Sequence, residues 1–304
     1  MNPSKLIIAG GSGFLGQVLV DYFKPIFQTI VVLTRSNNRI HDNVHFVQWD
    51  AENLGMWQVE LEQADVLINL TGKSVDCRYT ANNKAAILAS RVNSTRVLNQ
   101  AVLECKHPPQ QFINSSTATI YRDAYDRQMD ELTGEIGHDF SMNVAKRWEE
   151  AFFETETPRT RKTGIRTSIV LGKNGGAFVP LKRIASVGLG GKQGSGKQFV
   201  SWIHHLDFAR AIHFILEKQL EGVINVTAPN PVRNAQFMAA IRRALKIPFG
   251  LNAPRFLLEI GTFFLRTESE LVLKSRNVVP KRLLDEGFRF HFEEVDEAVG
   301  KLLS

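Results

Sequence analysis

The stretch KLIIAGGSGFLG, residues 5 to 16, limits what this chain can fold into more than any other. A short β-branched and apolar run ends in Gly10 and Gly11. Gly10, Gly13 and Gly16 are then spaced G-x-x-G-x-x-G, and Gly11 opens an overlapping G-x-G-x-x-G. Glycine lets a strand turn tightly into a helix and lets backbone approach a pyrophosphate, whose charge meets the free N–H groups of the first helical turn. A bare strand-to-helix turn needs fewer glycines. Placed between a strand and a helix, the pattern reads as a dinucleotide-binding turn, with Ser12, Phe14 and Leu15 completing it.

Alternation supports this reading. Apolar runs at 5–10, 29–35, 44–50, 64–72, 111–116 and 164–172 are rich in β-branched residues, as strands buried on both faces should be. Helix-length patterns lie between them at 13–24, 83–105 and 143–155. The expected fold is α/β, a Rossmann-type doubly wound parallel sheet with a smaller, mainly helical C-terminal portion. The chain divides into a nucleotide-binding domain over 1–230 and a substrate-side module over 231–304. Within the first, a glycine-rich insertion over 173–200 forms a long loop or a domain edge. SWIHHLDFARAIHFILE reads as a turn and then a helix with Asp207 as N-cap, and GVINVTAP as a further strand. RFLLEIGTFFL, 255 to 265, is too short to span a bilayer and reads as a core or interface helix.

Charge and cysteine usage narrow the function. The formal charge of +6 comes from dispersed lysines and arginines, the densest run being PRTRKTG, so no nucleic-acid partner is expected. Two distant cysteines give no disulfide framework, and the eight histidines form no metal-type pair. Neither a metal nor a membrane partner is expected. With no targeting signal visible, the expected location is cytoplasmic.

The end of the second strand selects the cofactor. NAD(H) sites carry an acid there for the ribose hydroxyls, whereas this chain has LTRSNNR, with Arg35 and Ser36 in that place. An arginine pairs with a 2′-phosphate, which favours NADP(H). A solvated loop charge is the competing reading of Arg35. Asp50 reads equally as an adenine contact or as a strand-end turn residue.

With NLTG at 69–72 and SSTATIY at 115–121 added to the glycine turn, the chain resembles the extended short-chain dehydrogenase/reductases. It is most similar to their atypical branch of NAD(P)-dependent epimerase family proteins. That narrower likeness rests on NLTGKSVDCRYT, SRVNSTRVL, RTSIVLGKNGGAF, GLGGKQGSGKQFVSWIHHLD, NVTAPNPVRNAQF and VVPKRLLDEGFRF, in this order. The resemblance implies that Asn69, Leu70, Thr71 and Gly72 line the cofactor. It implies that Ser115 or Ser116 bonds a substrate carbonyl, and that Ser168 meets the nicotinamide side. Relatives of the wider superfamily use a tyrosine four residues before a lysine as acid/base, because a nearby cation lowers the phenol's pKa. Here Lys146 is present, as a ribose contact or a solvated helix lysine, but the residue four places earlier is Met142, whose thioether cannot exchange a proton.

Tyr121 is the candidate replacement, and Ser115, Ser116 and Lys146 complete the catalytic set. Arg78 and Tyr79, with Lys84, face the substrate or lie on a surface loop. Ser90 and Arg91 pack near the cofactor side of the sheet or are bonded within their helix. Asp130 and Glu131 read as a solvated lid. Lys197, Gln198, Trp202 and His204 occupy the substrate-pocket position, against the alternative that Trp202 is core and His204 and Asp207 stabilise a turn. Two functions follow: an NADP(H)-dependent epimerase or oxidoreductase acting on an unknown carbonyl or sugar-nucleotide-like small molecule, or a non-catalytic NADPH-sensing regulator. Either fits a monomer or a homodimer.

Overall fold

The computed structural model describes residues 4–254 and 273–304, so the expected helix at 255–265 lies outside the described residues. Seven parallel strands form the body of one sheet: β1 (Lys5–Ala9), β2 (Thr29–Thr34), β4 (Val44–Gln48), β5 (Val66–Asn69), β6 (Gln111–Thr117), β7 (Arg161–Thr167) and β11 (Gly222–Val226). A short β3 (Arg39–His41) adds antiparallel at the β4 edge. The order β11-β7-β6-β5-β1-β2-β4-β3 reverses direction between β1 and β5, which opens a crevice at their carboxyl ends.

Side chains alternate across this sheet, so two cores form. Leu6, Ile8, Ile30, Val32, Ile68 and Ile113 pack under α1 (Phe14–Phe23) and α5 (His205–Glu217). Ile7, Ala9, Val31, Leu33, Leu67 and Phe112 face α2 (Ala81–Glu104) and α3 (Phe140–Phe153). Burial on both faces is what made the strands read as continuous apolar runs.

The run at 164–172 is two strands. β7 ends at Thr167, and after Ser168 the chain leaves the sheet as β8 (Ile169–Leu171) to pair with β10 (Trp202–His204). The expected loop at 173–200 contains a helix, α4 (Phe178–Ile184), and β9 (Phe199–Val200) pairs with β12 (Val232–Arg233). Phe178 and Trp202 then join α6 (Asn234–Ala244) and α8 (Val295–Leu303) in a third core; α7 (Lys281–Asp285) precedes α8. Asp207 does not cap α5. His204 does, its ring accepting from the Leu206 amide. Asp207 is instead fully buried and accepts from the amides of His291 and Phe292 and from Arg210, tying the C-terminal segment to α5. No helix among the described residues is long and apolar enough to cross a membrane.

Candidate cofactor and active site

Register brings the motif residues to one edge. Ala9, Asn69 and Asn114 are paired in one row, so Gly10, Leu70 and Ser115 follow side by side at the carboxyl ends of β1, β5 and β6. Gly10 has φ +74 and lies so close to the next loop that a Cβ would meet the Thr71 nitrogen at 2.9 Å. Gly16 packs on Gly11, where a Cβ would fall 2.3 Å from the Gly11 Cα. Gly13 differs: its N-cap position has no side-chain cap, no acid in the following turn, and space beyond it. Exposed Ser12 and Gly13 therefore present an uncapped helix N-terminus to the crevice. The Phe14 ring is clasped by Gly172, Gly175 and Gly176 of the turn after β8, each too near it for a side chain to be added without displacing the ring. Leu15 packs into the core against the α1 face of the sheet.

Arg35 and Ser36 are exposed just past β2, and among the described residues no carboxylate pairs with Arg35. Asp50 caps its own turn, accepting from the Glu52 and Asn53 amides and the Asn53 side chain, bonds that lower its pKa. Asn69 does not point into the crevice. It is buried, bonds Asn114 and Thr95, and holds the Thr71 amide, so it shapes the loop from below. Gly72 is glycine because the Arg91 guanidinium lies over it. Burial pulls Arg91 down to about 10; its Nη1 bonds the carbonyls of Lys73 and Ile87, and Ser90 accepts from the Lys73 amide.

The hydroxyls of Thr71 and Ser168 are buried at this edge with no hydrogen-bond partner. A buried polar atom without a partner is costly. Together with the open, uncapped N-terminus at Gly13, they fit a ligand that carries both an anion and polar groups, as a dinucleotide does.

The proposed catalytic residues separate. Ser116 donates to Glu149 at 2.6 Å, and Glu149 is held bidentately by Arg166 at 2.8 and 2.7 Å. Arg166 also donates to the Tyr121 hydroxyl, which itself donates to Asn225. Tyr121 is fully buried, and burial raises its pKa against the lowering effect of Arg166. Its hydroxyl is thus committed within a strut beneath the crevice. Ser115 is buried as well, with only a 3.4 Å contact to the Ser116 carbonyl. Thr117, the last residue of β6 and not among the expected site residues, is less buried than either serine, and its Oγ1 accepts from the Thr119 amide. Its position in SSTATIY, one place later, was the available signal.

Lys146 is half-buried, with no hydrogen-bond or ion-pair partner among the described residues. Met142 is buried; its sulfur accepts from the Asp139 amide at 3.4 Å and lies 2.0 Å from where a Gly137 Cβ would be. Met142→Tyr is therefore expected to overpack this corner and cost about 1–3 kcal/mol by urea denaturation. A variant as stable as the parent would show that the corner has room for a ring.

Of the residues expected to face a substrate, Tyr79 packs edge-on to Phe140, over which Lys84 also lies, and the Arg78 carbonyl accepts from Asn83. Glu131 is not a solvated lid residue. It is half-buried, accepts from the Asn225 amide, and has its pKa raised by that burial, while Asp130 caps its own turn. Gln198 is buried and ties the 193–198 loop together, and Lys197 is exposed, its carbonyl accepting from Arg233. Trp202 is fully buried core with its indole bonded to the Asn230 carbonyl. His204 is stacked on Phe292 at 4.1 Å, and burial foremost pushes its pKa down to about 3. No group of three or more potential metal ligands occurs among the described residues.

Comparison with known proteins agrees with this geometry. The model of the NAD dependent epimerase/dehydratase family matches residues 6–227, and that of a domain of unknown function, DUF1731, matches 253–302. The chain is 33% identical to the epimerase family protein YfhF of Bacillus subtilis over 304 residues, 98% of each. The crystal structure of the human epimerase family protein SDR39U1 with NADPH is 26% identical and superposes with a TM-score of 0.87, covering 98% of this chain and 99% of that one. A nucleoside-diphosphate sugar epimerase from Corynebacterium glutamicum is 27% identical with a TM-score of 0.78, covering 99% of this chain and 58% of that one.

Proposed function

Since the chain belongs to the NAD dependent epimerase/dehydratase family, we propose that it binds NADP(H) and acts as an epimerase or oxidoreductase on a carbonyl or sugar-nucleotide-like small molecule. The observation that carries this is the open helix N-terminus at Gly13 beside the partnerless Thr71 and Ser168 hydroxyls, at the point where strand order reverses. SDR39U1, the relative crystallised with NADPH, supports the choice of cofactor. Gly10, Gly13 and Gly16 with Ser12 hold the pyrophosphate, Arg35 and Ser36 the 2′-phosphate, Leu70 to Gly72 the middle of the cofactor, Lys146 its ribose and Ser168 the nicotinamide side. A nicotinamide bound there supplies the hydride chemistry. Thr117, at the end of β6, is the strand-end hydroxyl best placed to bond a substrate carbonyl. Residues 1–230 serve as the nucleotide-binding portion and 231–304 as the substrate-side module, working in the cytoplasm as a monomer or homodimer.

A second reading, an NADPH sensor without turnover, is favoured by two residues. Met142 carries no exchangeable proton, and the Tyr121 hydroxyl is engaged on both sides. Thermal shifts with NADP(H) and NAD(H) test the cofactor. NADP(H) should give the larger shift, and Arg35→Ala should cut the preference by about 10- to 100-fold in Kd, the value of one charged hydrogen bond. An equal shift with NAD(H) would sink the assignment of Arg35. NADPH oxidation across a panel of carbonyls and sugar nucleotides tests chemistry; a uniformly silent panel with intact binding selects the sensor.

A further inference from the structure

One surface combines exposed apolar side chains with cations that have no carboxylate partner among the described residues. Val187, Leu189, Phe249 and Leu251 are 69%, 50%, 63% and 62% exposed. They belong to one patch, because two segments distant in sequence are laced together by backbone: the Leu251 amide donates to the Gly188 carbonyl, the Gly191 amide to the Leu251 carbonyl, and the Phe249 ring lies against Gly188. Large exposed apolar side chains gathered in one place mark an interaction site; scattered single ones do not.

The border of this patch is basic. Arg183, Lys192 and Lys246 are exposed, and among the described residues no carboxylate pairs with any of them. Directly beside Phe249, a cavity of about 340 Å³ is lined by Arg242, Arg243, Lys246, Ile247 and Pro248. Arg242 reaches across to the Gly190 carbonyl, and Arg243 pairs with Asp296. The two segments that carry the patch hold no acid, since no Asp or Glu occurs from Thr157 to Leu206 or from Gly222 to Leu258, and α8 packed against α6 contributes Asp296 to Arg243. A protein partner of mixed charge would leave these cations poorly matched.

We propose that this face docks on an anionic phospholipid surface, with Phe249, Leu251, Val187 and Leu189 entering the interface and a headgroup phosphate held at the Arg242–Lys246 cavity. Apolar insertion and attraction to anionic lipid are the two components of interfacial binding, and both are present on one face. This mode of contact needs no spanning helix. It is independent of whether the crevice at Gly13 turns over a substrate.

The test is flotation of the full chain with vesicles of phosphatidylglycerol or of pure phosphatidylcholine. Binding to the former alone is expected, weakening as salt is raised. Arg183→Glu with Lys246→Glu should reduce it at least about 30-fold, as two surface basic residues would. Phe249→Ser with Leu251→Ser should reduce it at unchanged net charge. Lys106→Glu, in the loop between α2 and β6, should leave it intact, and each variant should retain the thermal shift with NADPH. The proposal is overturned by absent or equal binding to the two vesicle types, by full competition with inorganic phosphate, or by a dimer that the apolar pair of substitutions dissociates.

Discussion

Glu149→Ala is expected to destabilise the fold by about 3–5 kcal/mol, read as a large drop in the urea midpoint with an unchanged slope. The Glu149 and Arg166 side chains are only 12% and 10% exposed, so removing the carboxylate leaves a guanidinium stranded away from water. It also removes the acceptor of the Ser116 hydroxyl, and Arg166 is the residue that holds Tyr121. Burial works against the Arg166 charge, and the Glu149 bonds are what keep its pKa above the ordinary value. Changing both partners together to apolar residues of similar size should cost far less than the sum of the single changes, because no charge is then left buried. A single-variant loss below about 1 kcal/mol would mean that water reaches Arg166 and the strut is not a buried one.

Gly13→Asp should separate stability from cofactor binding. Gly13 has an ordinary extended backbone, φ −80 and ψ 175, with no atom nearer than 3.6 Å to an added Cβ, so the fold tolerates a side chain there. An aspartate at this N-cap also supplies the missing acceptor for the first-turn amides, and melting should hold or rise by about 0.5 kcal/mol. The same carboxylate sits at the proposed pyrophosphate position, and like charges in contact cost several kcal/mol. The NADPH Kd should therefore rise about 100-fold or more. Calorimetric titration beside a denaturant curve measures both. Unchanged affinity would place the phosphates away from this turn, whereas a lost fold would show that Gly13 is structurally required. Gly16 offers no such separation, since any side chain there collides with Gly11.

Much of the sheet was legible because strands buried on both faces are largely apolar and β-branched, although β6 and β7 carry polar residues as well. What misled was local. The run across Ser168 gives no sign that the chain changes sheets, since no glycine or proline separates the end of β7 from β8. Asp207 looks like an N-cap by residue type, but the cap is an imidazole, and the carboxylate serves the amides of His291 and Phe292 more than eighty residues away. Tyr121 and Glu131 read as a possible acid and a solvated carboxylate. Both sit in one buried network whose other members, Glu149, Arg166 and Asn225, come from three separate elements.

The sequence by itself determined the fold class and the glycine turn around Gly10, Gly13 and Gly16, because both are written in adjacent residues with a short-range physical cause. Only the tertiary structure decided which hydroxyls at the strand ends are free and which are tied into a strut, since that depends on partners brought together by sheet register and helix packing. The cationic apolar face is of the same kind. Val187 and Leu189 meet Phe249 and Leu251 across sixty residues through backbone hydrogen bonds, which carry no side-chain pattern for a sequence to display.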